Sequence, residues 1–190
     1  MRMPAATDTR SWTPDDVWAL PDDGNRYECI DGVLLVTPAA VSEHQRFIEQ
    51  LFLNLAPQVR TRALGELRCL AADIRLHPGN LVQPDLFVAA PAADGRLVRD
   101  WSEITSLRLA VEVLSPSTAR YDRGLKRRYY QRALVEEYWI VDLEARLVER
   151  WRPDDERPEI LSQTLTWQPS GADEPLVVDL EALFKDVLGE

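Results

Sequence analysis

From Ser42 onward, Phe47, Ile48, Leu51, Phe52 and Leu55 recur at the three- and four-residue spacing of one helical face, with His44 at its start. This predicts an amphipathic helix ending near Pro57, where proline removes a donor and crowds the preceding turn. A shorter helix is predicted over Thr13–Leu20, with Thr13 as N-cap, Pro14 at the first helical position, and Asp15 and Asp16 at the positive end. Pro21–Asn25 reads as a turn. Arg26–Ile30 and Val33–Thr37, joined by Asp31-Gly32, form a β-hairpin pattern. Leu67–Leu76 and Leu81–Ala89 are strand patterns separated by a turn at His77-Pro78-Gly79-Asn80.

The segment Pro91–Ser106 is polar and irregular. Leu107–Leu114 is a nearly continuous apolar run, as expected of a strand covered on both faces. Ser115–Tyr121 reads as a loop and Asp122 to about Leu134 as a basic amphipathic helix, with Leu125, Tyr129 and Leu134 facing the sheet. Glu137–Asp142 is a strand rich in β-branched and aromatic residues. Leu147–Arg152 and Glu159–Thr166 are further strands, and Leu180–Leu188 a closing helix. The order of elements predicts an α/β fold, a mixed sheet flanked by helices, with an N-terminal hairpin. Residues 1–12 are expected to be a flexible lead-in and 13–190 a single domain.

Composition narrows the function classes. At 190 residues the chain can bury a real core, and 45% hydrophobic residues argue against disorder. No apolar run reaches the ~20 residues needed to cross a bilayer, and Met1–Arg10 lacks the apolar stretch of a secretory signal. A cytoplasmic protein without membrane attachment is expected. Cys29 and Cys69 lack metal-ligand spacing, and His44 and His77 are too far apart in sequence to announce a zinc site. The net charge of −10 excludes a protein that coats nucleic acid through a broad basic surface, but not one that engages it through a local basic face.

The chemistry concentrates in three segments. Asp85 follows Pro84 in a strand pattern, and Glu112 interrupts the most apolar strand. A buried carboxylate needs a cation, a proton or a hydrogen-bonding partner, and a divalent ion shared by Asp85 and Glu112 would satisfy both. The alternatives are a strand-edge or turn acid for Asp85 and an arginine ion pair for Glu112. On the next helix, Asp122, Lys126 and Tyr130 fall on one stripe flanked by Arg123 and Arg127. Of 22 basic residues only Lys126 and Lys185 are lysines, so a lysine on this stripe stands out. A compact ammonium can orient water or offset phosphate charge. The alternative is a solvated basic face with an Asp122–Lys126 pair.

At these residues the chain resembles a known family. RYECIDG (26–32), QPDLFV (83–88), VEVLSPST (111–118), then Asp122, Lys126 and Tyr130, then EEYWIVD (136–142) are similar to the Uma-type restriction endonuclease family of the PD-(D/E)XK superfamily. The match runs from about Thr13 to Phe184. The resemblance implies a restriction-endonuclease-like core and magnesium-dependent hydrolysis of DNA phosphodiesters, with manganese able to substitute. It makes Asp85, Glu112 and the Val113 carbonyl the metal ligands, and Asp85, Glu112 and Lys126 the catalytic set. Leu114 stands where the superfamily places its lysine, and Lys126 on the following helix takes over that role.

Glu28 matches a family acid that assists metal or water, with an exposed acid paired to Arg26 as the alternative. His44 matches a family histidine, with a packing role as the alternative. Asp122 and Tyr130 support the centre, and Arg123, Arg127, Arg128 and Arg132 would hold the DNA backbone. A homodimer is expected, with Trp139, Trp151 and Trp167 available for an interface or for the monomer core. The rival expectation is a catalytically silent binding or assembly module on the same fold.

Overall fold

The computed structural model describes residues 10–38, 42–69, 72–91 and 98–189. Residues 1–9 of the expected lead-in, 70–71 of the expected first strand of the Leu67–Ala89 pair, and 92–97 of the polar connection lie outside the described residues. Helix α1 (Pro14–Trp18) is nucleated by a capping box: Thr13 Oγ1 accepts from the Asp16 N–H at 3.3 Å, and Asp16 reaches back to the Thr13 N–H at 3.0 Å. The hairpin of β1 (Arg26–Ile30) and β2 (Val33–Thr37) has the predicted bounds. Its turn places Asp31 and Gly32 both at positive φ, the backbone that Asp-Gly tolerates.

Among the described residues, six strands form one mixed sheet in the order β3 (Glu66–Arg68), β4 (Leu86–Ala89), β5 (Leu107–Val113), β6 (Glu137–Asp142), β7 (Leu147–Trp151) and β8 (Glu159–Leu161). Only β5 and β6 run parallel. Their connection carries α3 (Ala119–Tyr121), a π-helical turn (Asp122–Lys126) and α4 (Arg127–Arg132), which lie against one face. Helix α2 (Ser42–Thr61), the hairpin of β9 (Thr164–Trp167) and β10 (Leu176–Asp179), and α5 (Leu180–Leu188) cover the other.

Alternation along the central strands sorts the core. Leu86, Val88, Leu109, Val111, Val113, Trp139 and Val141 join α2 and α5, where Trp139 meets Trp167 edge-on and Phe47 meets Phe184. Phe87, Ala110, Tyr138 and Ile140 join Tyr129 and Tyr130 of α4. With both faces covered, β5 is buried at every position but Arg108, which is why its sequence is so uniformly apolar. Trp139, Trp151 and Trp167 are all buried within the chain itself, so the monomer-core alternative accounts for them and they offer no interface.

Several boundaries differ from expectation, each for a physical reason. Helix α2 continues through Pro57 to Thr61 because Leu55 and Val59 keep its apolar face buried, outweighing the lost donor. The expected Leu67–Ala89 strand pair is interrupted. β3 pairs with β4, but Leu81 is recruited by Cys29 of the N-terminal hairpin, leaving only a bridge between Ile74 and Val82. Helix begins at Ala119, inside the expected loop. Leu134 does not face the sheet: it ends the helix at positive φ and is 71% exposed. The expected strand at Glu159–Thr166 divides into β8 and β9 around a bend. Strand β10 was not anticipated, although Leu176 and Val178 alternate with Val177 and Asp179. No helix among the described residues is long and apolar enough to cross a membrane.

Candidate active site

The register that builds the sheet also builds the site. Leu86 pairs with Val111 across β4 and β5, so the next step toward the end of the sheet sets Asp85 opposite Glu112. Directly opposed residues of an antiparallel pair project from the same face. Glu112 also shares a face with Ala110, the face that α4 covers, which brings it beneath Lys126 and Tyr130. Asp85 and Glu112 line a cavity of about 260 Å³ with Arg26, His44, Asp122 and Lys126, and the Leu114–Thr118 loop borders it.

Lys126 is the hub. Its Nζ lies 2.7 Å from Glu28 Oε2, 3.0 Å from Glu112 Oε1 and 3.7 Å from Asp122 Oδ1, and its side chain is 3% exposed. Three carboxylates hold its pKa above the lysine value although burial pulls the other way, so it is a permanent cation. Tyr130 donates its hydroxyl to Glu112 Oε1 at 3.3 Å. Glu28 accepts the Gln83 N–H at 2.8 Å, while the Gln83 side chain donates to Asp73 at 2.6 Å. Glu28 is therefore a buried partner of Lys126, and the alternative of an exposed acid paired with Arg26 is not what the structure shows. Glu112 is paired with lysine rather than arginine.

Asp85 has a separate set of partners. Arg26 Nη1 donates to Oδ1 at 2.7 Å and the Val113 N–H to Oδ2 at 2.9 Å. His44 Nε2 lies 3.2 Å from Oδ2 without the alignment of a hydrogen bond. Burial alone would raise the pKa of Asp85, but His44, Arg26 and the Val113 amide together hold it down at about 2. Glu112 moves the opposite way. Burial drives its pKa well above the usual carboxylate value, Lys126 opposes this, and Asp85, Glu28 and Asp122 add to it. Asp122 is also raised by burial against Lys126. Two acids on one cavity are thus driven apart by their surroundings, the pattern expected of functional carboxylates.

The donor set fits a divalent cation. Glu28, Asp85, Glu112 and Asp122 outnumber the cations Arg26 and Lys126 that face them, four carboxyl groups to two. Buried carboxyls in excess of cations either take up a proton, toward which burial pushes Glu112 and Asp122, or meet a counter-charge. No group of three or more carboxylate, imidazole or thiol side chains converges as a metal cage among the described residues. Magnesium, which keeps most of its water, needs only one or two carboxylates. Asp85 and Glu112 open on the cavity together with Asp122, and Val113 lines it beside them.

The arginines expected on DNA are variously engaged. Arg123 is paired with Asp142 and Glu149, Arg127 lies over Trp151 and donates to Gln131, and Arg132 grips Asp31 through one nitrogen. Arg128 is exposed. Sequence reasoning missed Arg26 and the Gln83–Asp73 support. The signal for Arg26 was available, since residues two apart on a strand share a face and Glu28 had been singled out.

A mixed sheet carrying two opposed acids, with a lysine on the crossing helix, defines a restriction-endonuclease-like α/β protein. Comparison with known proteins places it more closely. The family described as "Uma2: Putative restriction endonuclease" matches residues 14–183, and the chain belongs to that family. Among solved structures it is similar to a protein of Anabaena variabilis ATCC 29413, described as "a putative nuclease belonging to DUF820". The TM-score is 0.76 at 18% identity, covering 93% of this chain and 99% of that one. At that identity the likeness concerns the fold. No curated protein matches.

Proposed function

We propose that this chain is a magnesium-dependent endonuclease that hydrolyses DNA phosphodiester bonds, with manganese able to replace magnesium. The observation that supports this most is the meeting of Asp85 and Glu112 on one cavity, where four buried carboxyl groups face two cations. A bound Mg2+ would acidify water and shield phosphate charge. Asp85 and Glu112 would hold it, with the Val113 carbonyl as a third ligand. Lys126, kept charged by Glu28 and Asp122, steadies charge developing on the phosphate and orients the attacking water. Tyr130 fixes Glu112, and His44 braces Asp85.

Arg128 meets the DNA backbone first, while Arg123, Arg127 and Arg132 must exchange their present partners for phosphate. A two-fold pair of chains would present one centre to each strand, through a surface other than the buried tryptophans. The free thiols Cys29 and Cys69 suit a cytosolic setting.

The test is calorimetric titration of Mg2+ or Mn2+ into the wild type and Glu112→Gln, followed by nicking of supercoiled DNA with and without chelator. Binding and nicking should be present in the wild type and absent from a folded Glu112→Gln. The second reading, a silent nuclease fold, is favoured by Leu114 at the superfamily's lysine position. It requires that DNA bind without being cut even when metal is present.

A further inference from the structure

Arg26 is used only in part. Its Nη1 donates to Asp85, and neither Nε nor Nη2 donates a hydrogen bond among the described residues. A guanidinium carries five N–H donors in a planar fork, so most of its donor capacity remains. The side chain is 25% exposed while Asp85 beneath it is 2% exposed, and Arg26 lines the same cavity. Lys126, by contrast, is enclosed by Glu28, Glu112 and Asp122 and has no comparable opening. Two cations therefore serve one cavity, one locked at its floor and one at its edge with donors to spare.

Arg26 also occupies an acid that the proposed metal would need. With a divalent cation held by Asp85, the guanidinium would be repelled and its electrostatic role on that acid replaced. From this arrangement we infer that Arg26 is a phosphate-binding residue, a placeholder on Asp85 that turns its fork to a substrate phosphate oxygen when a divalent ion takes Asp85. The inference rests on the metal-centre reading above. Planar bidentate contact with phosphate is the geometry for which arginine is suited and lysine is not.

The sign of two responses separates this role from a structural one. Mn2+ affinity, measured by calorimetry, and duplex-DNA affinity, measured by fluorescence anisotropy in Ca2+, are compared for wild type, Arg26→Gln and Arg26→Lys. Arg26→Gln should bind Mn2+ as tightly as wild type or several-fold tighter, because a competing cation has gone. It should bind DNA about tenfold more weakly, the loss of one charge-assisted contact. Arg26→Lys should recover only part of the DNA affinity. Parallel weakening of Mn2+ and DNA binding, or unchanged DNA binding, would overturn the assignment. If wild type binds no Mn2+, the metal-centre reading fails. The anisotropy series in chelator then still decides whether Arg26 contacts phosphate, since Nε and Nη2 are open without metal. No loss in Arg26→Gln there would overturn it as well.

Discussion

Replacing Lys126 by methionine keeps most of the side-chain volume and removes the charge around which Glu28, Glu112 and Asp122 are gathered. At separations near 3–4 Å, each attraction is on the order of 4 kcal/mol at an effective dielectric of about 20. Desolvation of the buried ions takes back most of that sum. What remains on removing one partner is the cost of uncompensated buried charge, about 3–5 kcal/mol, a large share of the ~5–15 kcal/mol that holds a domain together.

The penalty must depend on pH. Glu112 and Asp122 already titrate above their usual values because of burial, and losing Lys126 raises them further. A carboxyl whose folded pKa exceeds its unfolded value of about 4 contributes stability that is complete below about pH 4. That contribution is lost as pH rises through the folded pKa. Urea unfolding followed by circular dichroism should therefore show a smaller deficit for Lys126→Met at about pH 5 than at about pH 8. Adding Glu112→Gln to Lys126→Met should recover part of the loss, because one orphaned charge disappears. A deficit below about 1 kcal/mol, or one equal at both pH values, would refute the view that Lys126 is the counterweight of the cluster.

Asp85 sets the opposite limb. Its folded pKa of about 2 lies below the ordinary aspartate value, so its contribution is present above about pH 4 and lost as pH falls through 2. Asp85→Asn should remove on the order of 2 kcal/mol of acid-dependent stability, flattening the acid limb of an unfolding-versus-pH profile; an unchanged limb would assign that slope elsewhere. Gly65→Ala should lower the melting temperature, since Gly65 sits at φ +125° and a Cβ there would run into the Ala89 carbonyl. The expected cost is about 2 kcal/mol or more, and a thermal melt matching wild type would contradict the strain argument.

Much of this fold could be read locally, and the reasons differ by element. The hairpin 26–37 is specified by Asp-Gly between two alternating runs, and β6 by its β-branched and aromatic composition. Helix α5 begins at Asp179, whose side chain accepts the Ala182 N–H, and ends at Gly189 in the left-handed region, so both boundaries are local. Asp85, Glu112 and Lys126 were singled out because a lone acid in β5 and a lone lysine on a basic helix are conspicuous, and the structure brings all three to one cavity. What escaped is non-local. Leu81 leaves the expected strand because Cys29, far away in sequence, offers it a partner. Arg26 could be placed on the face of Glu28, but its contact with Asp85 depends on how the hairpin docks. That three of the four expected DNA-binding arginines have internal partners was largely invisible, because apart from Gln131, on the same helix as Arg127, these partners lie on distant strands or turns.

The π-helical turn at Asp122–Lys126 has a consequence for which changes the chain can absorb. Hydrogen bonds there span one residue more than in an α-helix. Deleting a residue from this turn would restore α-helical winding and rotate everything after it by about 100°. Tyr130 would swing away from Glu112, and Tyr129 out of the core it shares with Ile140. Arg123 and Gly124, neither of them buried, can change identity at small cost, but their number cannot change. For Arg123 and Gly124, length rather than composition is the inherited constraint.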